Sequence, residues 1–232
     1  MTYRFHTFDN GAVLAEALAE RVAGALAEAI AARGKASIAV SGGSTPKAFF
    51  KALSGLTLDW SHVTVTLVDE RFVPQSNERS NHALVSAGLL QGKAAGARFI
   101  PLYRPDVTAE EAATLVSAET REICEPFDVV ILGMGGDGHT ASFFPGGNNL
   151  EKALDAQTPR GVITMQAEGA GEPRLTFTFS AMQDARLLVL HIETASKKPV
   201  IDQALAEGKE STLPIGRVIA NAASETEIYW AP

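Results

Sequence analysis

Val129 to Leu132, four apolar residues in a row, run straight into a loop with glycines at 133, 135, 136 and 138. That junction constrains the chain more than any other stretch. A short apolar run bounded by a turn signal reads as a buried strand. Glycines placed directly after it let backbone N–H groups approach a ligand closely. In open α/β sheets, ligands bind outside the carboxyl ends of the strands. Within this segment, Asp128 to Gly146, stand Asp137 and His139. Histidine is the side chain suited to general-base work near neutral pH. A carboxylate two residues before it can orient the ring or hold a substrate hydroxyl.

Gly133 to Gly138 also matches G-x-G-x-x-G literally. A dinucleotide fingerprint should open a full helix and carry an acidic residue about 20 positions on, at the end of the next strand. Here Pro145 stops a helix early, and Glu151 and Asp155 fall in a polar, helix-like or loop segment. The dinucleotide reading is therefore set aside. Taken alone, the loop could still be a structural turn with an incidental histidine.

Composition excludes several classes. With 232 residues, 46% hydrophobic and 20% charged, the chain can bury a core without a disulfide or metal staple. Its single cysteine, Cys124, cannot form an internal disulfide and reads as a buried structural thiol. Five scattered histidines and one cysteine give no metal-ligand spacing, so no metal is expected. A net charge of −7 with no Lys/Arg cluster makes nucleic acid and anionic membranes poor partners. A small anionic substrate remains compatible, because a few local cations can capture one phosphate. No signal peptide or spanning run is visible, which points to the cytoplasm.

Taken in order, Asp9 or Asn10 caps a helix to about Arg33, with Val13, Leu14, Leu18, Val22, Leu26 and Ile30 at helical spacing and Gly34 as its stop. Ser37 to Val40 reads as a strand entering Ser41-Gly-Gly-Ser-Thr-Pro46. Thr45 suits the cap of the next helix and Pro46 its first position. Small residues at such a turn offer an anion site at a helix N-terminus. The loop lacks the Walker spacing. Val63 to Val68 is a strand leading to Asp69-Glu-Arg71, charged residues at a sheet's carboxyl edge. A helix-like run to Leu90 starts near Ser80 or Asn81. His82 on it reads as a surface or satisfied histidine.

Phe99 to Tyr103 reads as a short strand, and Thr108 opens a capping-box helix to about Cys124. Beyond Pro145, a turn at Gly146 to Asn149 is followed by strands at Val162 to Gln166, Arg174 to Phe179 (alternating) and Arg186 to Ile192. A helix from Glu193 to Glu207 carries Lys197 and Lys198. A strand-like pair near Arg217 to Ala220 and Glu227 to Trp230 closes the chain. Strands alternating with helices predict a three-layer α/β fold, a mainly parallel sheet with helices on both faces. One domain over 1–232 is expected, with a small insertion around 147–173.

Four pieces of the chain match a known family. They are SGGSTP (Ser41–Pro46), VDERFVP with the following Ser80-Asn81, LGMGGDGHTASFFPG (Leu132–Gly146), and Arg174 before LTFTF. The chain resembles the bacterial-type 6-phosphogluconolactonases, relatives of the glucosamine-6-phosphate deaminases. The resemblance implies a Rossmann-like fold and hydrolysis of 6-phospho-D-glucono-1,5-lactone without metal or cofactor. It implies His139 as general base, with Asp137 orienting it or a sugar hydroxyl. By the same analogy, Gly42, Gly43, Ser44, Thr45, Arg174 and Lys198 hold the phosphate, while Asp69 and Arg71 complete the substrate site. Lys198 comes from the pattern T-G-x-x-K-A, from which Ala195 and Pro199 depart. The partner implied is a phosphorylated sugar lactone, acted on by a monomer or small homo-oligomer.

Two alternatives stay open. A deaminase would resemble D-G-H-I-A-F-N-E-P-G with a proton-moving glutamate, but Phe144 stands at that position here. A non-catalytic sugar-phosphate sensor would keep the phosphate loop yet would not need Asp137 and His139 together.

Overall fold

The computed structural model describes residues 2–232. In chain order its main elements are β1 (Tyr3–Thr7), α1 (Gly11–Arg33), β2 (Ala36–Val40), α2 (Lys47–Gly55), β3 (Val63–Leu67), β4 (Asp69–Arg71), α3 (Asn81–Gly88), β5 (Arg98–Ile100), α4 (Ala109–Thr120), β6 (Val129–Leu132), α5 (Leu150–Leu154), β7 (Val162–Met165), β8 (Arg174–Phe177), α6 (Phe179–Met182), β9 (Leu187–Glu193), α7 (Lys197–Glu207), α8 (Pro214–Asn221) and β10 (Thr226–Ala231).

Seven strands form a parallel sheet in the order β1-β10-β9-β6-β2-β3-β5. After β2 the chain winds outward through β3 and β5. It then returns to lay β6 against the other side of β2, and continues outward through β9 and β10. Right-handed crossovers therefore send the helices of the two halves to opposite faces. α1 packs on α2 in one layer, and α7 on α8 in the other. The order reverses between β2 and β6, where the loops after both strands part and leave a crevice.

Local signals explain most boundaries. The Asn10 side chain accepts from the amides of Ala12 and Val13, and Gly34 ends α1 in the left-handed region at φ 72. Leu14, Leu18, Val22 and Leu26 are buried along that helix, whereas Val13 faces solvent and Ile30 is half-buried. Thr108 and Glu111 complete the reciprocal capping box of α4. β2 and β6 are buried at every position, as central parallel strands must be.

Several expectations are corrected. Residues 214–221 form helix α8 rather than a strand, because Pro214 starts it and Ile215, Val218 and Ile219 share a buried face. Tyr3–Thr7, outside the expected elements, is an edge strand beside β10. Asp69–Arg71 leaves the parallel sheet after Val68 and joins a second, antiparallel sheet of order β4-β8-β7. Segment 147–173 contributes α5 and the outer strand β7. The expected alternation of β8 is absent, since all four residues of this middle strand are buried. Thr45 does not cap α2. Pro46 takes that position and no side chain bonds the helix's first amides. Cys124 is buried, and that burial pushes its thiol pKa to about 11, as for an inert structural cysteine.

Candidate active site

A cavity of about 420 Å³ opens at the carboxyl ends of β9, β6, β2 and β3, over the reversal of strand order. Its walls include Ser41 to Pro46, Asp69, Arg71, Asn81, Gly133 to Gly135, His139, Phe144, Arg174, His191, Glu193, Thr194 and Lys197. Of the expected site residues, Gly42, Gly43, Ser44, Thr45, Asp69, Arg71, His139 and Arg174 line it.

Asp137 lies beside His139, with its Oδ1 2.6 Å from His139 Nδ1 and 3.2 Å from the His139 amide. Nδ1 is thereby engaged, and Nε2 is the ring nitrogen left for a substrate. One face of the imidazole rests on Gly135, where a Cβ would come within 2.2 Å of the ring. Phe144 covers it from another side, with centroids 4.6 Å apart. Burial alone would raise the Asp137 pKa, but the facing His139 charge and hydrogen bonds leave it lowered.

The glycine loop is largely self-bonded. Gly135 N–H donates to the His139 carbonyl, Gly138 N–H to the Gly135 carbonyl, and Gly133 N–H to Ser41 Oγ. These amides shape the loop and are not free to bind an anion. The loop after β2 differs. Among the described residues, no acceptor takes the amides of Gly42, Gly43, Ser44 or Thr45. Four unspent donors directly before an uncapped helix make an anion cradle. Asn81 packs so tightly on Gly42 that a Cβ there would lie 1.8 Å from its carboxamide oxygen.

Two arginines form another wall. Arg71 and Arg174 are cross-strand partners between β4 and β8. Arg174 is buried, sits 5.4 Å over the Phe144 ring and donates to the Ala170 carbonyl at 2.6 Å. Burial lowers its pKa from an arginine's ordinary value. Asp69 is held by Ser142 Oγ at 2.7 Å. Its neighbour Glu70 does not face the cavity. It accepts the amides of Arg71, Asn81 and His82 and the Ser80 hydroxyl, pinning the start of α3 to β4. Burial pushes the Glu70 carboxyl up despite those bonds.

Lys198 is a correction. Its Nζ pairs with Asp202 one turn along α7, at 2.6 Å, and lies over Phe5, so it does not line the cavity. Lys197 does, with its Nζ 2.6 Å from the Met134 carbonyl. Burial holds the Lys197 pKa below the usual lysine value, against the pull of Asp137. The lysine spacing is met one residue earlier than expected. Glycine-x-x-lysine then places Thr194 at the glycine, and its φ of 83 is a conformation that glycine adopts freely. Also missed were His191, buried with Nε2 3.0 Å from Glu193 Oε1, and Glu193 itself. Both sit at the end of an apolar strand pattern that masks them. Asn81, expected near the start of a helix and within a matching motif, lines the cavity as well. Among the described residues, no group of three or more His, Cys, Asp or Glu is placed to hold a metal ion, and no helix is long and apolar enough to cross a membrane.

The fold and the site define an α/β protein that gathers a His–Asp pair and four free backbone amides around a crevice at the reversal of strand order. The sequence model of the glucosamine-6-phosphate isomerases/6-phosphogluconolactonase family matches residues 9–230, and the chain belongs to that family. A 6-phosphogluconolactonase of Rhizobium meliloti (strain 1021) is 64% identical over 232 residues, covering all of both chains. One from Mesorhizobium japonicum is 48% identical over 231 residues, covering 100% of this chain and 96% of its own. The crystal structure of a 6-phosphogluconolactonase from Shewanella baltica OS155 superposes with a TM-score of 0.93 at 39% identity, covering 99% of this chain and 98% of that one. Within the family, the chain stands with the lactonases.

Proposed function

We propose that the chain hydrolyses 6-phospho-D-glucono-1,5-lactone to 6-phospho-D-gluconate in the cytoplasm, as a step of pentose phosphate metabolism, using 1–232 as one catalytic unit. The observation that carries this is the His139–Asp137 pair set across one cavity from the four free amides of Gly42 to Thr45.

His139 Nε2 takes a proton from water as the water oxygen bonds to lactone C1. The carbonyl becomes a tetrahedral oxyanion, stabilised by Arg71 or by loop amides left free by the internal bonding. When it collapses, the bond from C1 to the ring oxygen breaks. The imidazolium returns its proton to that oxygen, and the new carboxyl group ionises to solvent. Asp137 holds the ring through Nδ1 and stabilises the charged form. Such base catalysis is worth about 10²–10⁴-fold. Asp69, fixed by Ser142, accepts from a sugar hydroxyl.

The phosphate occupies the cradle of Gly42, Gly43, Ser44 and Thr45, with Arg174 and Lys197 supplying charge. Lys197 replaces Lys198 in this role. Holding the unreactive phosphate fixes C1 near His139. No step calls on a metal or cofactor.

The test is the rate of lactone hydrolysis above the uncatalysed rate, for the wild type and His139→Ala, with glucosamine 6-phosphate assayed in parallel by ammonia release. Lactone turnover that collapses in the variant is expected. Ammonia release alone would replace this reading with deamination, and sugar-phosphate binding without either reaction with a sensor.

A further inference from the structure

Thr194 is held in a conformation that its side chain disfavours. Three non-glycine residues among those described have positive φ: Asp106, Ala141 and Thr194. Only Thr194 is β-branched, which makes φ 83 a genuine outlier. Such strain persists where surrounding structure over-determines it, and it clusters at functional sites. Here the surroundings do so through the carbonyl. Thr194 O accepts from Trp230 Nε1 at 3.3 Å and from the Lys197 amide at 3.2 Å. Both bonds need only the backbone, so a glycine would make them without strain. What threonine adds is a hydroxyl on the cavity rim, on the turn that delivers Lys197.

We propose that the Thr194 hydroxyl is a phosphate ligand of this site, one that narrows the pocket toward substrates carrying a phosphate monoester. The inference rests on the reading of the cavity as a sugar-phosphate site. Thr194 Oγ1 is 3.0 Å from Ser196 Oγ. With Ser196 as donor in that pair, the Thr194 O–H is left to donate into the cavity. A phosphate oxygen held by Lys197 and the Gly42 to Thr45 amides then receives a further, neutral donor. The arrangement adds a hydrogen bond without adding charge to a wall that already contains Glu193.

Thr194→Val keeps the shape and the strained backbone but removes the hydroxyl. Thr194→Ser keeps the hydroxyl, and Thr194→Gly removes hydroxyl and strain together. The readouts are KM and kcat for the lactone, the melting temperature, and calorimetric binding of inorganic phosphate and 6-phosphogluconate. The expected result is a KM and product dissociation constant raised roughly ten- to a hundredfold in Thr194→Val with kcat little changed. Thr194→Ser stays near wild type, and Thr194→Gly melts higher yet binds as weakly as the valine variant. Equal phosphate and product binding by wild type and Thr194→Val overturns the inference, as does a glycine variant that gains stability and keeps its affinity. The two readings fail separately. If wild type binds phosphate but leaves the lactone untouched, the hydrolase reading falls while the binding series still decides the role of Thr194.

Discussion

Arg71 and Arg174 face each other across an antiparallel strand pair, and each has a buried Nε with no hydrogen-bond partner. Like charges in direct opposition destabilise a sheet. The pair is therefore a standing cost, one that a dianion bound as proposed would relieve. Inorganic phosphate or 6-phosphogluconate at a hundredfold excess over its dissociation constant should stabilise the fold by about 2.7 kcal/mol. Thermal melting with and without ligand checks this. Arg174→Met should melt no lower than wild type unliganded, and should lose most of the ligand's protection.

The lysine assignment has a direct test. Lys197→Ala should raise KM roughly ten- to a hundredfold, because it removes a charge-assisted contact to phosphate. Lys198→Ala should leave KM unchanged and shift stability by no more than about 1.5 kcal/mol, the worth of an exposed i,i+4 pair and the contact with Phe5. Steady-state kinetics on the two variants separate the registers. Equal effects would undo the placement of Lys197.

Acidity supplies a third expectation. The facing His139 holds the folded-state pKa of Asp137 below its ordinary 3.8. A depressed carboxylate contributes stability that is present above the unfolded value and lost as pH falls through the folded one. The contribution of Asp137 therefore fades only below about pH 4. Any acidic limb of activity above that range belongs to another group, and because Asp137 stabilises the charged form of the paired ring, the limb should move to lower pH in Asp137→Asn, with reduced kcat. A limb and a kcat both unchanged in Asp137→Asn would contradict the pairing.

Gly135→Ala should be severe for geometric reasons. The added Cβ would sit 2.2 Å from the His139 ring, so the imidazole must leave its seat between Gly135 and Phe144. The expected loss is on the order of 10²-fold in kcat, the scale of a misplaced catalytic group. A folded variant, judged by circular dichroism, with wild-type turnover would show that the seat does not matter.

Much of the fold was readable because each signal was local. Asn10, Gly34 and Thr108 act within a turn of their own helix, and the apolar runs of β2, β6 and β9 declare burial residue by residue. The misreadings had two origins. Val218 and Ile219 suit a strand by composition, and that outweighed the helical signal of Pro214 and of the spacing Ile215, Val218, Ile219. Asp69 to Arg71 joins a second sheet because β8, about a hundred residues later, offers the partner edge. The same division holds in the site. Asp137 and His139 share one loop and were visible together. Lys197 was missed by one position, because the side-chain direction there depends on the strained turn at Thr194. His191 and Glu193 reach the cavity only because β9 lies beside β6.

The place of β1 in the sheet has a consequence for biosynthesis. Among the described residues its only neighbour in the sheet is β10, which itself docks against β9. β1 therefore finds no hydrogen-bonding partner in the sheet until β10, more than 200 residues further along the chain, has been made. At usual elongation rates that is a wait of roughly ten seconds or more. During it, the segment must be kept from pairing with a neighbouring nascent chain. Arg4, His6 and Thr7 within Tyr3–Thr7 lower the stickiness of that unpaired edge.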